Sequence, residues 1–255
     1  MRKKIRFIAR LDVKDNFLVK GIQYEGLRKL GLPHDFARRY YEQGIDEILY
    51  LDTVASLYGR NNLGNILERT TTNVFIPITA GGGLRSVDDV SAVLKAGADK
   101  AAVNTAALRC PRLITEIARA YGSQCRVLSI QAKRRDPARP AAGWEAYYDN
   151  GREHSGQDVL DWAKQAVALG AGEILLSSVD KEGFQKGMDL ELIAAVADLV
   201  DVPIIAAGGA VCAEDVAAAA KNGADAVAVG SVLHYGKTAV PALKEKVRAL
   251  GVEVR

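Results

Sequence analysis

The sequence is poor in the features that mark secreted and membrane-embedded proteins. Its 255 residues include three cysteines, Cys110, Cys125 and Cys212, which lie far apart and form no CxxC pair. This pattern argues against a disulfide framework and indicates reduced thiols in a cytoplasmic protein. Runs of about 18 apolar residues are absent, and the N-terminal MRKKIRFIARLDV has no apolar stretch of signal-peptide length. We therefore expect neither a membrane span nor a secretory leader.

Histidine is also scarce, and the charge is nearly balanced. The three histidines, His34, His154 and His234, are scattered and are more typical of packing or surface positions than of ligands. Because no cysteine or histidine lies at metal-binding spacing, we predict no metal and no other cofactor. The net charge is only +3, without basic runs interleaved with aromatics, which argues against a nucleic-acid surface. A small positive balance suits an anionic small-molecule substrate.

Short apolar runs alternate with longer amphipathic segments along the chain. This alternation predicts parallel βαβ units, and eight apolar strands close most naturally into a (β/α)8 TIM barrel of the α/β class. The length suits one domain, residues 1–255. An open doubly wound sheet is the competing architecture. The predicted strands are Ile5–Asp12, Glu47–Asp52, Val74–Thr79, Lys100–Asn104, Arg126–Gln131, Glu173–Ser178, Pro203–Ala207 and Asp225–Val229. The predicted helices are Pro33–Gln43, Val87–Ala96, Pro111–Tyr121, Gln157–Leu169, Asp189–Leu199 and Ala213–Lys221.

An internal repeat favours the barrel over the open sheet. Residues 79–90 (TAGGGLRSVDDV) resemble residues 206–216 (AAGGAVCAEDV), about half a chain later. Two similar (βα)4 halves give a barrel with twofold pseudo-symmetry, so each functional feature at its C-terminal face is expected twice. Two segments interrupt the pattern, Lys14–Gly31 and the Pro-rich Arg134–Gly143. We expect both to be loops, and the first to be an active-site lid.

Glycine-rich turns follow the third and seventh predicted strands, and each precedes a helix. Glycine lets the backbone approach a phosphate closely, and free N–H groups at a helix start supply donors. The alternative is that these glycines only make tight turns, but their duplication favours phosphate binding. The predicted phosphate-binding residues are Gly82, Gly83, Asn104 and Thr105 in the first half, and Gly208, Gly209, Gly230 and Ser231 in the second.

Acidic side chains end the first two predicted strands. An ionisable group at the C-terminal end of a barrel strand is more often catalytic than structural, although each could instead pair with a lysine such as Lys14 or Lys20. We predict a catalytic role for Asp12 and a supporting one for Asp52. Gln131 mirrors Asp12 in the second half, where an amide can form hydrogen bonds but cannot exchange a proton near neutral pH.

Charges of balanced sign begin four of the strands at the opposite end of the barrel. Pointing inward, they would be costly to bury unless they paired into a ring. Such a ring is either ordinary salt bridging or a gate that closes a central passage. Its predicted members are Arg6, Glu47, Lys100 and Glu173.

Together these motifs resemble the HisF family, the cyclase subunit of imidazole glycerol phosphate synthase in histidine biosynthesis. The resemblance covers nearly the whole chain. The matching segments are LDVKDNFLVKG (11–21), YLDTVAS (50–56), ITAGGGLRSVDDV (78–90), AGADKAAVNTAAL (96–108), GSQC (122–125), GAGEILLSSVDKEG (170–183), PIIAAGGA (203–210) and LKEKVRALGVEVR (243–255).

The resemblance implies a cytoplasmic, ammonia-dependent lyase that combines ammonia with a phosphorylated ribulosyl-type substrate. The ammonia would come from a HisH-like glutamine amidotransferase docked on the N-terminal face of the barrel, through the charged gate. By the same resemblance, Asp12 is one of two catalytic aspartates, and Lys20 belongs to a mobile loop and acts in catalysis. Ser177, Asp180 and Glu182 are expected to line the same pocket.

The departures from the family pattern cluster at the centre of the catalytic face. Gln131 stands at the second catalytic aspartate, and Ala9 and Arg10 stand where the family has a cysteine. Glu182 and Phe184 replace the usual acidic residue and threonine. A further departure is Leu32, where the family has an aspartate before Pro33.

Several hypotheses therefore stay open. The chain is either the histidine-pathway cyclase, with water or Glu182 covering for Gln131, or a paralogue that aminates or amidates another sugar in surface-polysaccharide biosynthesis. A third hypothesis is a catalytically silent ammonia conduit. The related HisA-type isomerase is the alternative barrel, but it would not need the gate.

Overall fold

The computed structural model describes residues 4–55 and 63–255, so Ser56 of the YLDTVAS motif lies outside the described residues. In this described part of the chain, twelve strands form one sheet. They are β1 (Arg6–Lys14), β2 (Phe17–Ile22), β3 (Glu25–Gly31), β4 (Glu47–Asp52), β5 (Ile78–Gly81), β6 (Lys100–Val103), β7 (Arg126–Arg134), β8 (Trp144–Tyr148), β9 (Glu153–Asp158), β10 (Glu173–Ser178), β11 (Ile204–Ala207) and β12 (Ala226–Val229).

Eight of these strands are parallel and close into a barrel. Their order is β1, β4, β5, β6, β7, β10, β11 and β12, and the barrel closes because β12 pairs with β1. The predicted (β/α)8 barrel is confirmed. Two predicted strands, Glu47–Asp52 and Glu173–Ser178, match the structure residue for residue. The third was placed too early, since β5 starts at Ile78, directly after a proline that has no N–H for the ladder.

Helices lie between the strands and cover the outside of the barrel. They are α1 (Pro33–Glu42), α2 (Leu63–Thr71), α3 (Val87–Lys95), α4 (Thr105–Arg109), α5 (Arg112–Tyr121), α6 (Val159–Ala168), α7 (Leu190–Ala197), α8 (Ala213–Lys221), α9 (Ser231–His234) and α10 (Val240–Ala249). The sequence patterns had not indicated α2, α4, α9 and α10. Short 3-10 turns span Ser123–Cys125 and Pro140–Ala142. Within the described ranges, no helix has the length and apolar character needed to cross a bilayer.

The strands bury apolar side chains on both faces, which explains their continuous apolar runs. One face packs against the surrounding helices in the main core. The other face fills the barrel interior, where side chains from seven barrel strands form a separate apolar cluster. Because neighbours along a strand point to opposite faces, one run such as EILYLD supplies both cores. The interior cluster is Ile8, Leu49, Ala102, Val127, Leu175, Ile205, Ala207, Ala226 and Ala228.

One β-hairpin stands where the sequence predicted the loop Lys14–Gly31, and a second one follows the predicted loop Arg134–Gly143, which is irregular apart from a short 3-10 turn. Strands β2 and β3 continue antiparallel from β1, and β8 and β9 continue antiparallel from β7. They occupy equivalent places in the two halves, as the pseudo-symmetry requires. The loop prediction for Lys14–Gly31 was wrong because the β2–β3 turn consists of Gln23 and Tyr24, both at positive φ. Such a turn is usually marked by Asn or Gly, so the sequence carried no hairpin signal.

Candidate active site

A cavity of about 280 Å³ opens above the C-terminal ends of β4 to β7. All four phosphate-binding residues predicted in the first half of the chain line this cavity, which we call the large cavity. Gly82 has φ +102° and lies so close to β4 that a Cβ atom would be 2.2 Å from the carbonyl oxygen of Asp52. Glycine is therefore required where the backbone faces the cavity. The four residues are Gly82, Gly83, Asn104 and Thr105.

Basic side chains add positive charge to this end of the cavity. Arg85 and Arg109 both line it. The side chain of Arg109 is about two-thirds exposed and bonds Asp149 at 3.2 Å, and Asp149 also contacts Thr105. Backbone N–H groups beside arginines form an environment that suits an anion such as phosphate. Sequence reasoning missed both arginines. Arg85 lies within the motif ITAGGGLRSVDDV (78–90), but only the glycines of that motif were assigned to phosphate, and Arg109 lies just after the motif AGADKAAVNTAAL (96–108).

The second-half glycine turns meet in a separate, much smaller cavity of about 20 Å³. Gly209 has φ +92°, and a Cβ atom there would lie 2.1 Å from the carbonyl oxygen of Gly187. Arg10, Lys20 and Glu182 also line this cavity. The predicted second-half residues that line it are Gly208, Gly209, Gly230 and Ser231.

Four charged side chains form a buried quartet at the centre of the catalytic face. Arg10 Nε donates to Asp12 Oδ1 at 2.9 Å, and Arg10 Nη1 donates to Glu182 Oε2 at 3.2 Å. Lys20 Nζ lies 3.0 Å from Asp12 Oδ2 and also bonds Glu182. Each residue is at most 5% exposed. The quartet carries two positive and two negative charges, so it is electrically neutral while intact.

The quartet fixes the ionisation of its carboxylates. Burial opposes the ionised form of Asp12, but Arg10 and Lys20 outweigh burial and lower its pKa to about 2. Burial likewise opposes the charged form of Glu182, while Lys20 and Arg10 lower its pKa. The pKa of Lys20 is raised, because its two carboxylate partners overcome burial. In this arrangement Asp12 is ionised at neutral pH and cannot donate a proton.

The quartet also holds the first hairpin against the barrel mouth. Lys20 lies on β2, which the sequence placed in a flexible lid. Its two ion pairs tie the hairpin to β1 and to the turn after β10. The pairing of Asp12 with Lys20, which the sequence offered as the alternative to a catalytic Asp12, is therefore present, and Lys20 makes it from a β-hairpin.

Gln131 lies on β7, in the half-barrel position that mirrors Asp12, and lines the large cavity. Its Oε1 accepts a hydrogen bond from the backbone N–H of Gly151 at 2.8 Å. Gly151 is in the turn between β8 and β9. The second hairpin thus anchors Gln131 as the first hairpin anchors Asp12.

The remaining predicted site residues differ in their surroundings. Asp52 is buried and lines the large cavity, and its Oδ1 accepts from the N–H groups of Val54 and Ala55 at 3.0 Å each. Asp180 accepts from the backbone N–H of Arg134 at 2.8 Å. Ser177 is buried within β10. Neither Asp180 nor Ser177 is among the residues that line the two cavities, whereas Glu182 lines the small one.

Arg10 and His234 are the other residues whose place the sequence did not show. A charged residue within the apolar run FIARLDV was the one available signal for Arg10. His234 is buried beneath it, with Nδ1 2.7 Å from the Tyr40 hydroxyl and Nε2 2.9 Å from the Arg10 carbonyl oxygen. Burial and the nearby Lys20 lower the pKa of His234 to about 4, so the ring is neutral and has a packing role.

The four predicted gate residues meet at the N-terminal end of the barrel. Arg6 pairs with Glu47 and Glu173 at 2.5 Å each, and Lys100 pairs with the same two carboxylates at 3.2 and 2.8 Å. The signs alternate around a closed cycle, which we call the charge ring. The interior apolar cluster lies between this ring and the catalytic face.

Comparison with known proteins agrees with this architecture. The family model described as "Histidine biosynthesis protein" matches residues 6–239. An imidazole glycerol phosphate synthase subunit HisF from Legionella pneumophila is 58% identical over 80% of this chain and 95% of its own length. The HisF subunits of Mycobacteroides abscessus and Bifidobacterium adolescentis are 47% and 44% identical over 98% and 100% of both chains. The chain belongs to the HisF family.

Membership in the HisF family confirms the resemblance found in the sequence. The relatives carry the name of the synthase subunit, which does not favour a paralogue acting on another sugar. The departures at Arg10 and Gln131 therefore occur within a HisF chain, and their geometry shows what each substitution does. Arg10 has joined the buried quartet, and Gln131 has become anchored to a hairpin turn.

Proposed function

We propose that this chain is the ammonia-using cyclase subunit of an imidazole glycerol phosphate synthase, a lyase of histidine biosynthesis. The observation that carries the proposal is that one barrel has a cavity with anion-binding turns at one end and a closed charge ring at the other. An enzyme that joins ammonia to a phosphorylated substrate needs both features. A phosphosugar isomerase would need only the first.

At the catalytic face, the two glycine turns would each hold one phosphate group of an extended substrate. Backbone N–H groups at Gly82 and Gly83 would bind one phosphate, assisted by Arg85 and Arg109 at the rim. The turns at Gly208 and Gly230 would bind the other. Because the small cavity is nearly filled by the quartet, we infer that the hairpin carrying Lys20 moves outward when the substrate enters.

This movement would also activate Asp12. While Lys20 and Arg10 both contact its carboxylate, the low pKa makes Asp12 a weak base. Loss of the Lys20 contact would raise that pKa towards its ordinary value, so substrate binding and base strength would be coupled. Glu182, released by the same movement, is the other carboxylate of the quartet and could take over the acid–base work of the aspartate replaced by Gln131.

At the opposite face, we propose that a HisH-like glutamine amidotransferase docks and delivers ammonia through the charge ring. Phe75, just before β5, is 74% exposed there and stacks edge-on against Tyr41 with ring centroids 6.2 Å apart. Exposed aromatic residues are common anchors of protein interfaces. Ammonia would then cross the apolar interior to reach the large cavity. We place this assembly in the cytoplasm, in line with the three separated cysteines.

The decisive experiment measures turnover of the ribulosyl substrate of the synthase with ammonium salt. We expect slow turnover by the natural chain, and none above background for Asp12→Asn. Restoring the second carboxylate in Gln131→Asp should raise kcat by up to ~10²–10⁴-fold, the usual contribution of a general acid–base group. Gln165→Glu, on the exposed face of α6, is the control for the added charge and should match the natural chain. If neither the natural chain nor Gln131→Asp turns over the substrate, the proposal is wrong.

A further inference from the structure

We propose that Gln131 is a specificity-determining residue that donates a hydrogen bond to an acceptor oxygen of the substrate, either a carbonyl or a carboxylate oxygen. This inference rests on the proposed function, in which a phosphate at the opposite end of the substrate binds the turn at Gly82 and Gly83. It defines the substrate class as phosphosugars that bear such an oxygen where they reach the β7 side of the large cavity.

The hydrogen bond to Gly151 decides which atom Gln131 can offer. A backbone N–H can only donate, so the atom of Gln131 within 2.8 Å of it must be the amide oxygen. The amide nitrogen, with its two hydrogens, is then left to donate to other groups. No acceptor among the described residues bonds this nitrogen, although the side chain lines the large cavity. A ligand in the cavity therefore meets a donor at Gln131.

The turn that orients Gln131 is itself held in place from several sides. Next to Gly151, Asn150 Nδ2 donates to the carbonyl oxygen of Thr53 at the end of β4. Asp149, on the other side of Asn150, bonds Thr105 of α4. A Cβ atom at Gly151 would lie 3.1 Å from both methyl groups of Val179, so the turn is tightly packed. The amide orientation is thus imposed by the surrounding fold and is preorganised before a ligand binds.

The rest of the cavity points to the same ligand chemistry. Its lining includes three arginines, Arg10, Arg85 and Arg109, against a single carboxylate among the described lining residues, Asp52. One oxygen of Asp52 is already occupied by two backbone N–H groups. An aspartate at position 131 would present an acceptor, whereas the amide presents a donor. With glutamine in place of aspartate, this side of the cavity therefore prefers a ligand that accepts a hydrogen bond over one that donates it.

The experiment compares two ligands that differ only in the group at one end of a five-carbon chain. 5-Phosphoribonate carries a carboxylate there, and ribitol 5-phosphate carries an alcohol. Calorimetric titration of the full chain should give a dissociation constant roughly tenfold or more lower for 5-phosphoribonate, because its carboxylate accepts a charge-assisted hydrogen bond from the amide, whereas the alcohol accepts a weaker, neutral one. Gln131→Glu keeps the acceptor for Gly151 but places a carboxylate towards the ligand. It should abolish or reverse this preference, because the new carboxylate repels the carboxylate of 5-phosphoribonate.

Gln165→Glu adds the same charge on exposed α6 and should retain the preference of the natural chain. If Gln131→Glu does not fold, Gln131→Met removes the donor without adding charge and should also lose the preference. Equal binding of the two ligands by the natural chain, or an unchanged preference in Gln131→Glu, overturns the inference about Gln131. A parallel titration with inorganic phosphate separates the two proposals. If phosphate and both ligands fail to bind, the phosphate site itself is absent and both proposals fall.

The same argument predicts a kinetic signature for the Gln131→Asp variant. That change supplies an acid–base group and removes the donor, so kcat should rise while KM also rises. A fall in KM would contradict the donor role of Gln131.

Discussion

Removing the amino group of Lys20 tests whether the buried quartet stabilises the fold as a neutral unit. Lys20→Met leaves Asp12 and Glu182 with Arg10 alone, so the buried site changes from neutral to a net charge of −1. Lys20 is 5% exposed, and its Nζ lies 3.0 Å from Asp12 Oδ2 while also bonding Glu182. Breaking a buried ion pair by removing one partner typically costs ~3–5 kcal/mol, because a charge is left buried without compensation. We expect a loss of that size in the free energy of unfolding.

The double variant Lys20→Met/Glu182→Gln separates charge balance from lost contacts. It leaves Arg10 and Asp12 as one ion pair at 2.9 Å, so the site is neutral again. If charge balance dominates, the double variant should recover at least about 2 kcal/mol of the single variant's loss. Lys29→Met, an exposed lysine on the same hairpin whose ammonium lies 4.0 Å from the Phe17 ring centre, is the matched control. It should change the stability by no more than ~1 kcal/mol.

Urea unfolding followed by the fluorescence of Trp144 and Trp162 gives the required free energies. Limited proteolysis of the hairpin should accelerate in Lys20→Met, because β2 loses its tie to the barrel mouth. The reasoning is refuted if Lys20→Met is as stable as the natural chain. It is refuted equally if adding Glu182→Gln lowers the stability further instead of restoring it.

Two further predictions concern pH and the glycine turns. The pKa of His234 is lowered from 6.5 to about 4. As the pH falls, the unfolded chain therefore binds a proton at this histidine before the folded chain does. The contribution of the neutral His234 ring to stability is full above pH 6.5 and is lost as the pH falls towards 4. Urea unfolding at a series of pH values should show a loss of up to about 3 kcal/mol in the free energy of unfolding. His234→Gln should flatten this pH dependence. An unchanged pH dependence in the variant would assign the loss to other groups. Gly82→Ala, whose Cβ would meet the Asp52 carbonyl oxygen, should lower stability by ~1–3 kcal/mol and weaken inorganic phosphate binding about tenfold or more. Gly64→Ala in α2, where an added Cβ would meet open space, is the control and should change neither the stability nor phosphate binding. Equal phosphate binding by the two variants would exclude the Gly82 turn as the anion site.

The sequence predicted features that depend on local pattern or on barrel symmetry. Continuous apolar runs such as EILYLD predict strands buried on both faces, and the glycine turns repeat half a chain apart. Because all parallel strands of a barrel end at one face, knowing the strand order was enough to place Asp12 with the glycine turns and Arg6 with the charge ring at the opposite end. Family resemblance was visible for the same reason, since these motifs are contiguous in the chain.

The chemistry of the central site was decided only by the tertiary structure. Arg10 and Glu182 are 172 positions apart, and their contact depends on how the turn after β10 folds back over β1. The donor character of Gln131 depends on a single backbone N–H at Gly151, in a hairpin that the sequence did not predict. Ionisation and hydrogen-bond direction are set by the groups within a few ångströms of a side chain. In this barrel those groups come from distant segments, so residue type and position along the chain could not reveal them.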